Sequence, residues 1–97
     1  IMNDYLESDE IDAQTLNSLA WELAIRNLQP EKAVEIALMA VDMAPEDPNI
    51  MDTLAESYFA AGEFEKAIEW ERKALGLDLE NVFFNEQLNK FLERLER

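Results

Sequence analysis

Glu31-Lys32-Ala33-Val34-Glu35-Ile36 recurs as Glu65-Lys66-Ala67-Ile68-Glu69-Trp70, 34 positions further along the chain. The same shift carries Ala40-Val41 onto Ala74-Leu75 and Met43 onto Leu77. Upstream, Leu16, Leu19, Ala20 and Leu23 fall on Met51, Leu54, Ala55 and Tyr58 at a shift of 35, so one extra residue sits in the first unit near Asn27 to Pro30. An insertion inside a helix turns every later side chain by about 100° and scatters the apolar stripe. It is tolerated in a turn, which places the boundary between two helices there. A period of this length marks a stacked helical repeat.

Each unit reads as a pair of helices. Met51, Leu54, Ala55 and Tyr58 are spaced along one helical face, and Phe64, Ala67, Ile68, Glu71, Ala74 and Leu75 along a second. Asp47-Pro48 is a start signal, a capping carboxylate followed by proline at the first helical position. Gly62 suits the left-handed residue that closes the helix before it. Small residues on the second helices (Ala33, Ala37, Ala40, Ala67, Ala74) allow close approach of neighbours, and Ala44-Pro45 ends the first of them. Phe84, Leu88, Phe91, Leu92 and Leu95 stripe a last segment that Asn81 caps. Five helices follow, in an all-α fold.

Composition agrees. The 97 residues are 48% hydrophobic, twelve of them alanine, with two glycines and three prolines, a balance that favours packed helices. The longest uncharged run, Ala13 to Trp21, is far short of the roughly 20 apolar residues of a membrane span. There is no cysteine and no histidine, which removes disulfides, thiol nucleophiles and the commonest general base and metal ligands. A net charge of −14 repels phosphate backbones and anionic membranes, so neither nucleic acid nor a membrane is expected as a partner. The acids concentrate in residues 1–13 (Asp4, Glu7, Asp9, Glu10, Asp12) and in residues 14–81, where fourteen face five bases.

A 34-residue two-helix unit of this kind resembles the tetratricopeptide repeat. Leu54, Ala55, Tyr58, Gly62, Phe64, Ala67 and Ala74 carry the resemblance in the second unit, and Leu19, Ala20, Leu23, Ala33, Ala40 and Pro45 in the first. The implied organisation is an acidic segment or linker at 1–12, repeats at 13–47 and 48–81, and a C-terminal capping helix at 82–97. Two departures stand out. The aromatic expected after the first alanine of the second helix is Ala37 in one unit and Glu71 in the other, and the closing proline is Leu79 in the second. An unpaired first repeat implies that residues 1–12, where Ile1, Met2, Tyr5 and Leu6 share a face, fold back over it, or that it docks on an upstream domain or a second copy. Ile1 in place of an initiator methionine suggests a processed chain or a piece of a longer one.

The resemblance implies a non-catalytic module, not an enzyme, that binds a peptide or partner surface with the concave face of its first helices. The register puts Gln14, Asn17, Ser18, Trp21, Ala24 and Ile25 there from the first unit, with Asn49, Asp52, Thr53, Glu56, Phe59 and Ala60 from the second. Asn17, Trp21, Ile25, Asn49, Asp52, Thr53, Glu56 and Phe59 are the candidate contacts. Trp21 and Phe59 either meet a ligand or pack inside the chain, against Tyr5 and Leu6 or against the last helix. Some relatives clamp a peptide's terminal carboxylate with lysines and asparagines. Here the matching positions are Asn17, Trp21, Asn49 and Thr53, without a cation, so a basic or apolar partner is expected and an acidic tail is not.

Asp52 and Glu56, four apart, read as two solvated acids because nothing supplies the other half of a catalytic site. Asp42, Glu46 and Asp47 lack the alternating ligands and central glycine of a calcium loop. Glu22–Arg26 and Glu69–Lys73 read as surface ion pairs. No cofactor is expected, and with no targeting signal in view the expected location is the cytoplasm. The competing expectation is a structural or dimerisation domain of a larger protein, with a homodimer formed through the N-terminal end.

Overall fold

The structure, a computed structural model, describes residues 12–96. Five helices follow one another: α1 (Ala13–Ile25), α2 (Pro30–Met43), α3 (Pro48–Ala60), α4 (Phe64–Leu77) and α5 (Val82–Glu96). No strand occurs among the described residues. The lengths duplicate, 13 and 14 residues for α1 and α2 and again for α3 and α4. Short connections bring each helix back along its predecessor, and α1 packs on α2 and α3, α3 on α2 and α4, α4 on α5. The result is a slab of 52 × 28 × 16 Å. No helix among the described residues is long and apolar enough to cross a membrane.

Side-chain caps or prolines mark the starts of α1, α2, α3 and α5. Asp12 accepts a 2.9 Å hydrogen bond from the Thr15 amide, Asp47 one of 2.9 Å from Asn49, and Asn81 one of 3.0 Å from Phe84. Pro30 and Pro48 occupy first helical positions, where a missing N–H costs nothing. The two turns within the pairs share one closure. Glu63 N donates to Tyr58 O and Leu28 N to Leu23 O, both at 2.9 Å, and the intervening residues Gly62 and Asn27 are left-handed, at φ 84° and 55°. The extra residue of the first unit is absorbed directly after this, with Gln29 also left-handed at φ 47°. Hence the insertion shifts no helical stripe.

Leu16, Ala20, Ile36, Ala37, Ala40, Ile50, Leu54, Ala55, Tyr58, Ala67, Ile68 and Phe91 form the main core, and Met51, Ala74 and Phe84 a smaller one beneath α5. Leu88 and Leu92 are half-buried against the main core, while Leu95 is 43% exposed. Leu19 departs from its expected core role: it is 48% exposed, whereas its counterpart Leu54 is 0% exposed. α3 lies between helices on both sides. α1 has a partner on one side among the described residues. The expectations about Ile1, Met2, Tyr5 and Leu6 lie outside the described residues.

Two further readings are corrected. Asp52 and Glu56 are not solvated; they are 5% and 7% exposed, covered from α5 by Gln87 and Lys90. The Glu69–Lys73 pair does not form, because Lys73 Nζ sits 4.3 Å from the centre of the Trp70 ring instead. The Glu22–Arg26 pair does form, at 2.9 Å on an exposed surface.

Candidate functional site

Heptad-like spacing on α1 and α3 points a second row of side chains away from the core, and α5 closes the third side of the channel between them. Two hollows result. The first, of about 320 Å³, is lined by Asn17, Ser18, Trp21 and Glu22 of α1, Asn49, Asp52 and Thr53 of α3, and Phe83 of α5. The second, of about 410 Å³, is bounded by Ala24, Ile25, Asn27, Glu56, Phe59, Ala60, Gly62, Phe64 and Arg94. Both lie in the range of small-ligand and side-chain pockets. Of the eight candidate contacts, Asn17, Trp21, Asn49, Asp52 and Thr53 line the first hollow, and Ile25, Glu56 and Phe59 the second.

Their chemical availability differs sharply. Thr53 spends its hydroxyl within α3, donating to the Asn49 carbonyl at 3.2 Å. Phe59 stacks on Phe91 of α5 with ring centres 4.7 Å apart and meets Phe64 of α4 at 5.4 Å, so its ring is used in packing between helices. Lys90 Nζ lies 5.1 Å from the Phe59 ring centre, and Arg94, whose Cζ is 4.8 Å from that of Phe64, gives the second hollow one cationic side. Trp21 leans on Phe83, ring centres 6.2 Å apart and tilted by 57°, and remains half-buried at the edge of the first hollow. Of the two readings of these aromatics, packing against the last helix holds for Phe59. Trp21 is shared between the last helix and the hollow.

Beneath the hollows runs a polar seam. Gln87 Nε2 donates to Glu56 Oε1 at 2.9 Å and, more loosely, to Asp52 Oδ1 at 3.4 Å; Lys90 Nζ pairs with Glu56 Oε1 at 3.1 Å. Glu71, from α4, is fully buried behind Asp52, and neither of its carboxyl oxygens meets a donor. Burial pushes the Glu71 carboxyl up to about 10, with the hydrogen bond to Asp52 and the negative charges of Asp52 and Glu56 acting in the same direction. Glu71 is therefore neutral at pH 7, beside the Asp52 carboxyl. Burial also raises the Asp52 carboxyl, against the hydrogen bonds from Glu71 and Gln87 that favour its charged form.

Phe83, Gln87, Lys90 and Arg94 are absent from the candidates read in the sequence, yet α5 supplies the third wall. A signal existed. Extending the shift of 34 from α3 carries Asn49 onto Phe83, Thr53 onto Gln87 and Glu56 onto Lys90. Glu71 stood out as the residue in an aromatic's place, but nothing in the sequence says that Asp52 lies across from it. Among the described residues, no group of three or more acidic side chains is arranged to hold a metal ion. Compared with known proteins, the chain matches no family model and no curated protein.

Proposed function

We propose that this chain is a protein-interaction module of the tetratricopeptide-repeat type, with repeats at 13–47 and 48–81 and α5 as their C-terminal cap, and that it takes an extended partner segment along the face shared by α1, α3 and α5. The observation that carries this reading is the gathering of all eight candidate contacts into two adjoining hollows on one face. Pre-formed helices supply the walls, so little ordering entropy is lost on binding. This reading involves no chemistry: the buried acids Asp52 and Glu56 are engaged by Gln87 and Lys90, and no nucleophile is poised against them among the described residues.

Selection of binders from a random peptide library, followed by titration of Trp21→Ala and Asn17→Ala proteins, tests it. Selected peptides should bind with micromolar dissociation constants and lose about tenfold in affinity, or 1.4 kcal/mol, on Trp21→Ala. Peptides indifferent to both substitutions would remove the reading.

The half-exposed Leu19 favours a second reading, in which the open side of α1 docks on another domain or a second copy. A mass that doubles between micromolar and near-millimolar concentration, and stays monomeric in Leu19→Ser, would support it.

A further inference from the structure

Resting on that reading of the face, we propose that the first hollow is a socket for one arginine side chain of the partner, with Asp52 receiving the guanidinium and the rings of Trp21 and Phe83 flanking its stem. The hollow has acceptors and rings but no cation. Asn17, Trp21 and Glu22 stand on the α1 side, Asn49 and Asp52 on the α3 side, Phe83 on the α5 side, and no lysine or arginine lines it. The nearby cations are already engaged: Arg26 holds Glu22 at 2.9 Å, and Lys90 holds Glu56 at 3.1 Å.

The acceptors, in contrast, are left short of donors. The one side-chain amide that reaches Asp52 does so at 3.4 Å, a long and weak contact for a carboxylate in so enclosed a place. Asn17 Oδ1 is buried without any partner. A buried acceptor without a donor is unfavourable until something brings one. Glu71, closed off behind Asp52, has no donor to offer beyond its own proton. A ligand that enters with several N–H groups and a positive charge therefore completes what the chain leaves open.

Guanidinium fits this better than ammonium. It is flat, carries its donors as a fork that serves acceptors on two walls together, and stacks on an indole face. An ammonium is a strongly hydrated point charge that satisfies one wall and gains less from the rings. Around the socket, a chain of net charge −14 steers a basic segment in and repels an acidic one, and the attraction weakens with salt.

The test uses the full chain and three short glycine-serine peptides that differ at one central residue: arginine, citrulline (the neutral isostere) or lysine. Titration calorimetry gives affinity, and amide chemical shifts give location. The expected result is at least tenfold tighter binding of the arginine peptide than of the other two, with shifts at Asn17, Trp21, Asn49 and Phe83. Asp52→Asn should bring the arginine-to-citrulline ratio close to one while helicity stays unchanged. Asn17→Ala, on the half-buried wall, repeats the test should Asp52→Asn lose helicity. Equal binding of arginine and citrulline at those same amides overturns the socket and leaves the peptide-binding face standing. Lysine binding as tightly as arginine overturns the guanidinium assignment. Shifts confined to the outer surfaces of α2 and α4 overturn both the socket and the face. No binding of the arginine peptide at millimolar concentration overturns the socket, and the library selection then decides the face by itself.

Discussion

α1 and α3 carry the same stripe and end in the same turn, yet they live in different surroundings. Leu16 and Met51, Ala20 and Ala55 are buried in both helices. Leu19 is half exposed where Leu54 is sealed, and Ser18 is exposed where Thr53 is buried. The difference does not come from the helices themselves. α3 is enclosed by α1 and α2 on one side, α4 on the other, and side chains of α5 above; α1 meets only α2 and α3 among the described residues. Position in the stack, not local pattern, decides which apolar side chains are withdrawn from water, as expected where each unit contacts only its neighbours.

The second helices make the contrast chemically. Ala37 and Glu71 occupy equivalent positions, 34 apart, and both are fully buried. A methyl group there needs nothing. A carboxyl there is pushed toward its neutral form by burial and by the neighbouring acids of α3. The second unit thus trades part of its stability for a polar seam directly beneath the candidate binding face, whereas the first unit keeps an apolar seam.

The largest effect should come from uncovering α3. Phe91→Ala removes the ring stacked on Phe59 and leaves a cavity, for an expected loss of about 3–5 kcal/mol in urea unfolding. A loss near zero would mean that α5 does not cap this face in solution. Leu54→Ala should then cost about 2–5 kcal/mol and Leu19→Ala about 1 kcal/mol or less, since cavity formation applies only to the enclosed site. Equal losses would show that α1 is also covered, by residues 1–11 or by a second copy.

Glu71→Gln sharpens the contrast between the second helices. The folded carboxyl titrates at about 10 against an ordinary 4.5, so its contribution to stability is full below pH 4.5 and is lost as the pH rises from there to about 10. Glutamine keeps the shape and a donor for Asp52 without that loss. The variant should match the parent at pH 4.5 and exceed it by roughly 3 kcal/mol at pH 7, at 1.36 kcal/mol per unit. A parallel pair of stability-against-pH curves would place Glu71 in water instead. The smallest effect belongs to the open end of the slab. The Thr15 amide holds the exposed Asp12 carboxyl below its ordinary value, so the cap is present at neutral pH and is lost as the pH falls through that lowered value. Asp12→Ala should speed hydrogen exchange at Thr15 and Leu16 while the amides of α3 exchange as before. Faster exchange throughout would show that α1 and α3 open as one unit.

Helix boundaries were legible because their signals are local. Asp47-Pro48, Gly62, Pro45 and Asn81 act within a few residues of themselves, through a cap, a fixed φ or a left-handed turn. The face of the candidate site was legible for the same reason, since a helical register fixes which side chains share a side. What escaped were consequences of distance: that Phe83 and Lys90 form the third wall, that Phe59 is used in packing, and that Asp52 and Glu56 are enclosed. Periodicity identifies a face but not how far the next helix covers it.

By itself, then, the sequence determined five helices, their turns and the stripe each presents, because capping, propensity and 3.6-residue periodicity operate over one or two turns of chain. Only the tertiary structure decided which stripes are sealed, which acid keeps its proton and which acceptors go without donors. Those properties depend on desolvation and on partners about 35 residues away in the chain, as with Gln87 and Asp52, and only packing brings such partners together.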